Sequence, residues 1–294
     1  MTLTPRAVVI HRATELTELV ARHGTRQQAG FYLTTRGRSL DEPRERHEAQ
    51  QNALAAVSAG IPLDWRRATV ERDDLDRFGF GPEDIVIAVG QDGLVANVAK
   101  YLDGQPVIGI NPEPDRNPGV LVRHSPSEIA GLLSAPGHLS LEAHTMVVAR
   151  TDDSQQLLAL NEVFVGHHSH QSARYRLTAP GEAEERQSSS GVLIGTGTGS
   201  TGWCRSAWQE RRSALQLPGA TDPALCWFVR EAWPSPATGT DFTEGLLESS
   251  RSLIIRAESD LVVFGDGIES DSLTLGWGQR LEISVAETKL HLVR

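Results

Sequence analysis

Apolar and polar positions follow two different rhythms along this chain, and the change falls near residue 135. Before it, strand and helix patterns alternate. Ala7-Val8-Val9-Ile10 is a short β-branched run, and Leu16, Leu19 and Val20 follow at the i, i+3, i+4 spacing of a helix whose C-cap is Gly24. Pro43 to Ala59 predicts a second, largely polar helix with Ala53, Leu54 and Val57 on one side, stopped by Gly60-Ile61-Pro62. Ile85 to Val89 is uninterrupted and apolar, the pattern of a strand covered on both faces in a parallel sheet. A helical stretch LVANVAKYL comes next, then the strand Val107-Ile108-Gly109-Ile110. Ser125-Pro126-Ser127-Glu128 reads as a capping box with proline at the first helical position. The β-α-β-α order predicts an open, Rossmann-like α/β domain over residues 1–135.

From residue 136 to 294 the pattern is mostly β. Thr145–Ala149, Val163–Val165, Ala173–Leu177, Val192–Ile194, Cys226–Val229, Leu253–Ile255, Leu261–Phe264 and Leu281–Val285 read as strands, separated by turns rich in Gly, Ser, Asp and Pro. One helix is expected, after Thr201, and Pro234 to Gly245 reads as a loop.

Composition narrows the class. The 294 residues are about twice the ~150 of an ordinary domain, and 39% hydrophobic with 22% charged residues can build real cores. No apolar run approaches the ~20 residues of a membrane span, and the opening MTLTPRAVVIHR lacks the pattern of a secretory leader. With only Cys204 and Cys226, a disulfide scaffold is not expected and a cytoplasmic setting is. A net charge of −10 argues against non-specific nucleic-acid binding, and no membrane partner is expected. Lys100 and Lys289 are the only lysines among 28 basic residues, and neither lies in a GxxxxGK[ST] loop. Any phosphate must therefore be met by glycine amides, helix N-termini, arginine or a metal.

Two segments carry candidate chemistry. Gly90-Gln91-Asp92-Gly93 links the buried strand to the next helix, at the strand carboxyl end where open α/β sheets bind ligands. An aspartate there suits a metal or the proton of an attacking hydroxyl, while a plain turn with an Asp N-cap gives the same letters. Gly195-Thr196-Gly197-Thr198-Gly199-Ser200-Thr201-Gly202-Trp203 alternates glycines with hydroxyls between a strand and a helix, which suits a polyphosphate or a ribose. The pair Asn161-Glu162 enters an apolar strand and offers two hydrogen-bonding side chains, or simply ends a turn. Asp266, in Phe264-Gly265-Asp266-Gly267, reads as a hairpin turn. His167-His168-Ser169-His170 lacks a completing ligand set and reads as a solvated loop, and Trp203, Trp227 and Trp233 as core or pocket wall.

In order, GQDG, LNEVFVG, GTGTGSTGW and the late GDG resemble the NAD kinase family, with VIGINPEPDRNPG and SSGVLIGTGTGST closest to its mitochondrial-type branch. The resemblance runs from about residue 10 to the end and implies an α/β N-terminal domain, a β-rich C-terminal domain and an active site between them. It implies a magnesium-dependent transfer of the ATP γ-phosphoryl group to the 2′-hydroxyl of the adenosine ribose of NAD. Asp92 would be the catalytic acid, with Gly90, Gln91 and Gly93 at the phosphates. Thr198, Gly199, Ser200 and Thr201 would form the second nucleotide loop, and Asn161, Glu162, Gly202 and Trp203 would hold the acceptor. No protein-held metal ligand set is implied, and a homo-oligomer, a dimer first, is. Gln91 stands where the family has glycine, Leu94 where it has threonine, and Gly202-Trp203 where it has Ala-Tyr. These departures keep open a kinase of the same fold for a nucleoside or sugar, polyphosphate in place of ATP as donor, and a non-catalytic nucleotide sensor.

Overall fold

The computed structural model describes residues 4–294, with the backbone alone for Glu269 and Ser270. The chain divides into two compact units, residues 1–142 with 291–294, and residues 143–290.

The first unit is a parallel α/β layer. Its elements are β1 (Arg6–His11), α1 (Glu15–His23), α2 (Arg26–Thr34), α3 (Asp41–Gly60), β2 (Arg66–Glu71), β3 (Asp84–Val89), α4 (Asp92–Ala99), β4 (Pro106–Ile110) and α5 (Ile129–Leu133). Strands run β2-β1-β3-β4, all parallel, and His291 and Leu292 add alongside Pro106 and Val107. Every residue of β3 is buried, as its unbroken apolar run requires. Val57 and Ile61 at the end of α3 pack with Val9, Ile87, Ile108 and Leu133 into one core. Helix α1 begins at Thr14, whose hydroxyl accepts the Thr17 N–H, and stops at Gly24 with φ +84°. The capping box at Ser125 forms with both of its hydrogen bonds.

Gly109 in β4 is a close-approach position. A Cβ there would lie 2.2 Å from the Leu121 carbonyl oxygen and 2.7 Å from the Val122 Cα, so its absence lets residues 121–122 lie against the strand. Asn111 ties down the intervening loop: its amide donates to the Asn117 carbonyl and its oxygen accepts the Glu113 N–H.

The second unit comprises β5 (Leu141–Thr151), β6 (Gln156–Ala159), β7 (Glu162–Gly166), β8 (Ala173–Thr178), β9 (Glu185–Ser189), β10 (Gly191–Gly195), α6 (Trp203–Arg211), β11 (Ala224–Arg230), β12 (Glu244–Glu248), β13 (Ser252–Ala257), β14 (Leu261–Gly265), β15 (Ile268–Leu275) and β16 (Arg280–Val293). One antiparallel sheet runs β12-β11-β10-β7-β14-β15; β16, β13, β8 and β9 lie side by side in the other, with β5 and β6 joined to it through β16. Alternate residues of β8, β13, β14 and β16 face inward, and Tyr175, Leu177, Val192, Trp227, Ile255, Val263 and Ile283 meet in the core. Strand β10 is buried on both faces, because α6 covers its second face through Cys204 and Ala207 packed with Leu193 and Phe228. Trp227 is core, whereas Trp233 is 69% exposed and forms no core wall.

Gly109→Ala is expected to push residues 121–122 off β4 and lower stability by about 1–3 kcal/mol. Urea unfolding of the variant against the parent protein checks the magnitude, and amide exchange at Val120–Val122 checks the location.

Candidate functional site

In the first unit the site is built at the carboxyl end of β3. Gly90 donates its N–H to the Ile110 carbonyl, so the turn leaves β3 while still tied to β4. Gln91 occupies the N-cap of α4 in extended conformation, and Asp92 is the first helical residue, one position later than an Asp N-cap would place it. Gln91 and Gly93 are exposed, and a Cβ on Gly93 would meet nothing within 4 Å. The chain itself does not require a glycine at 93. Open space therefore faces the first turn of α4, where unpaired backbone N–H groups favour an anion. The Gln91 side-chain amide has no hydrogen-bond partner among the described residues.

Asp92 does more than the sequence indicated. Its Oδ1 accepts N–H groups from Val120, Leu121 and Val122 at 3.1, 2.8 and 3.0 Å, and its Oδ2 accepts the Val120 N–H at 2.9 Å. Gly119, at φ +68°, turns the chain into this cradle; a Cβ there would lie 2.5 Å from the Val122 carbonyl. One carboxylate oxygen is thus committed to the protein, and Oδ2 keeps a free lone pair. The signal was present in the sequence: Gly109 within a strand and Gly119 after Asn117-Pro118 mark a backbone segment brought close to β4.

In the second unit, three motifs distant in sequence close on one another. Thr196 is the hub. Its N–H donates to the Asn161 carbonyl (2.9 Å), its hydroxyl donates to the Leu160 carbonyl (2.5 Å), and the hydroxyl accepts from Thr198 and Gly199 N–H. The glycines of this loop serve contact with the chain. A Cβ at 195 would meet Cys204 Sγ at 2.2 Å, one at 197 the Gly219 carbonyl at 1.8 Å, and one at 199 the Asn161 carbonyl at 2.1 Å. Thr198 and Ser200 are buried; Thr198 shares a hydrogen bond with His144, and Ser200 donates to the Thr196 carbonyl. Thr201 and Gly202 are the exposed members of the loop. Trp203 opens α6, stacks on Phe164 at 5.2 Å, and carries Arg230 over its other environment at 5.4 Å. A pocket of about 530 Å³ lined by Trp203, Ser206, Arg211, Arg230 and Glu231 opens beside it.

The Leu160–Asn161 turn is held from its other side by Asp266. Asp266 Oδ2 accepts the Leu160 N–H at 2.8 Å and Oδ1 the Asn161 N–H at 2.7 Å, while the Asp266 N–H donates to the Glu162 carbonyl at 3.1 Å. Asp266 does sit in a hairpin turn, with Gly267, and both have positive φ. Sequence reading found the turn and missed the clasp, since nothing local to Gly265-Asp266-Gly267 says which backbone its carboxylate reaches.

The outcome is a fixed turn presenting two half-buried polar side chains. The Asn161 amide and the Glu162 carboxyl have no side-chain hydrogen bond among the described residues. Burial, then the charge of Asp266, then Cys226 push the Glu162 carboxyl up from its ordinary 4.5 to about 7. His167–His170 form a largely exposed turn in which the His167 and His168 rings stack. Among the described residues no three His, Cys, Asp or Glu side chains gather as metal ligands, and no helix is long and apolar enough to cross a membrane.

The chain is similar to several curated proteins over part of its length. It is 32% identical to mitochondrial NAD kinase 2 of Rattus norvegicus across 46% of this chain and 43% of that protein. It is 28% identical to the NAD kinases of Brucella melitensis and Chlorobium limicola, across 53% and 54% of this chain and 61% of each relative. The matches thus span less than two thirds of these relatives. Among solved structures, the NAD kinase of Archaeoglobus fulgidus in complex with ATP superposes with a TM-score of 0.61 at 17% identity, covering 98% of this chain and 93% of that one. No family model matches.

The raised Glu162 carboxyl has a consequence for stability. Its protonated form is favoured in the folded protein, so its contribution is full below pH 4.5 and is lost as pH rises through about 7. Glu162→Gln should therefore be more stable than the parent at pH 8, by up to about 3 kcal/mol, with the gap closing toward pH 4. Urea unfolding across that pH range measures it.

Proposed function

We propose that this chain, which belongs with the NAD kinases in fold and in the matched part of its sequence, transfers the γ-phosphoryl group of ATP to the 2′-hydroxyl of the adenosine ribose of NAD, giving ADP and NADP. The observation that carries the reading is the pair Asn161 and Glu162: two polar side chains on a turn fixed from both sides, each with hydrogen-bonding capacity left for a sugar or base. Asn161 offers an amide donor and acceptor, and an ionised Glu162 accepts from hydroxyl or amine groups of the acceptor. Thr201, Gly202 and Trp203 bound the exposed side of the same assembly.

Asp92 takes the proton of the attacking hydroxyl on Oδ2, the oxygen whose lone pair the Val120–Val122 cradle leaves available. The new bond joins the acceptor oxygen to the γ-phosphorus, and the bond from that phosphorus to the β,γ-bridging oxygen breaks, releasing ADP. Gly93 and the first turn of α4 give phosphate oxygens room beside backbone N–H donors. The exposed Gln91 amide supplies a further donor, in the place where the family's glycine offers backbone access. Magnesium enters as part of the nucleotide substrate, held by the triphosphate, and offsets charge between its β- and γ-groups. The protein acts in the cytoplasm as a homodimer in this reading.

Three measurements test it. Incubation with Mg-ATP and a panel of NAD, NADH, nucleosides and sugars should give 2′-phosphorylated NAD as the main product; a nucleoside or sugar phosphate as the main product would overturn the assignment of the acceptor. Asp92→Asn should lower kcat by about 10²- to 10⁴-fold while the β-sheet cores remain folded by circular dichroism. Its Nδ2 would face the Val120 N–H, so faster amide exchange at Val120 is expected as well.

Gln91→Gly tests the amide donor. It should reduce kcat/KM for NAD by the equivalent of about 1–3 kcal/mol. A rise in the ratio of kcat/KM for NAD over a small nucleoside would instead identify Gln91 as a steric filter.

A further inference from the structure

We infer that Asp266 is the positioning residue for acceptor recognition: its carboxylate fixes the backbone from which Asn161 and Glu162 project and sets the charge state of Glu162. The inference rests on the reading of Asn161 and Glu162 as the acceptor site. The geometry is unusually complete. Both Asp266 oxygens take backbone N–H groups, from Leu160 and Asn161, at 2.8 and 2.7 Å, and the Asp266 N–H returns a bond to the Glu162 carbonyl. The carbonyls of Leu160 and Asn161 are meanwhile taken by Thr196. With donors and acceptors of the turn engaged from opposite sides, rotation of its peptide planes breaks two or more hydrogen bonds at once.

The identity of the residue matters. A two-residue hairpin turn with positive φ at both positions is served at least as well by Asn-Gly as by Asp-Gly. Turn propensity alone therefore gives no reason for aspartate. What asparagine lacks is the second acceptor: its amide nitrogen would point an N–H at the N–H of Leu160 or Asn161. It also lacks the charge. Among the described residues, the titratable groups facing Glu162 are Asp266 from the β14–β15 turn and Cys226 from β11, and Asp266 is the larger influence of the two. One carboxylate thus performs two tasks on one turn, holding its backbone and restraining the ionisation of its neighbour.

Asp266→Asn is the test, because it keeps the turn type and the size while removing one acceptor and the charge. Three readouts are taken on the full chain. Amide exchange at Leu160 and Asn161 in the ligand-free protein should accelerate. The Glu162 carboxyl, followed by ¹³C NMR and assigned by its loss in Glu162→Gln, should titrate about one pH unit lower than in the parent. The Kd for NAD by calorimetry at pH 8, where Glu162 is ionised in both proteins, should rise roughly 5- to 100-fold, with the Kd for Mg-ATP little changed.

Unchanged exchange together with an unmoved Glu162 titration would overturn the inference. So would an unchanged NAD affinity in the variant when the parent binds NAD. A rise in both Kd values with an unmoved titration would reduce Asp266 to a general structural role, which also overturns it. If the parent itself does not bind NAD, the proposed function fails; exchange and titration then still decide whether Asp266 holds the turn and its neighbour's charge.

Discussion

The second unit depends on one constraint: the peptide groups of Leu160 and Asn161 have to be satisfied where β7 begins, at a point no regular ladder reaches. Thr196 takes the carbonyls and Asp266 the N–H groups. A buried or half-buried peptide left unpaired costs about 1–3 kcal/mol, so this two-sided solution is a stability requirement before it is anything else. It also draws three separate sequence segments to one place. The glycine loop must come within van der Waals contact of the Asn161 carbonyl, which only Gly199 permits. The side chains of Asn161 and Glu162 inherit a fixed origin as a by-product, and fixed origins are what recognition of a small ligand needs.

The first unit solves an analogous problem with the same chemistry. Asp92 collects three consecutive N–H groups from a segment that lies against β4 because Gly109 has no side chain. In both units an aspartate at a turn serves as an anionic partner for backbone amides that strands and helices leave over. Charge-assisted bonds of this type are about twice as strong as neutral ones, which suits places where a short loop has to be held without a core beneath it. For Asp92 the arrangement also separates two functions by atom, with Oδ1 structural and Oδ2 open.

Much of this architecture was legible from periodicity. The unbroken run at Ile85–Val89, the helix closed by Gly24 and the capping box at Ser125 each carry a local cause, and each stands where the sequence placed it. Elements lacking a local cause escaped. Helix α2 has Ala29 and Leu33 as its buried residues against otherwise polar or exposed neighbours, so no stripe announces it. Strands β2, β9 and β12 are short and polar on one face, with β9 and β12 at sheet edges, and are defined by the partner they pair with. The glycine loop was legible as a special backbone, but its purpose was only half read. Gly195, Gly197 and Gly199 answer to packing against Cys204, Gly219 and Asn161, and Thr198 and Ser200 are turned into the unit's own network. Long-range partners of a turn cannot be deduced from the turn, and for that reason Asp266 read as a hairpin residue alone.

The scarcity of lysine now takes on structural meaning. Lys100 is buried at the end of α4, and Lys289 is exposed on β16, so neither stands as a point charge in the GQDG turn or the glycine loop. Arginine near the cradle is committed: Arg123 donates to the Val120 carbonyl and pairs with Glu142. Beside Trp203, Arg230 lies over the ring and pairs at its other end with Glu231 at 3.4 Å. A triphosphate brought to this chain would thus meet little mobile positive charge from the candidate motifs themselves. Its charge has to be met by backbone N–H groups at α4, by the Gln91 amide and by the cation it brings. That division of labour places the burden of catalysis on position more than on charge, and position is what the two aspartate-held turns supply.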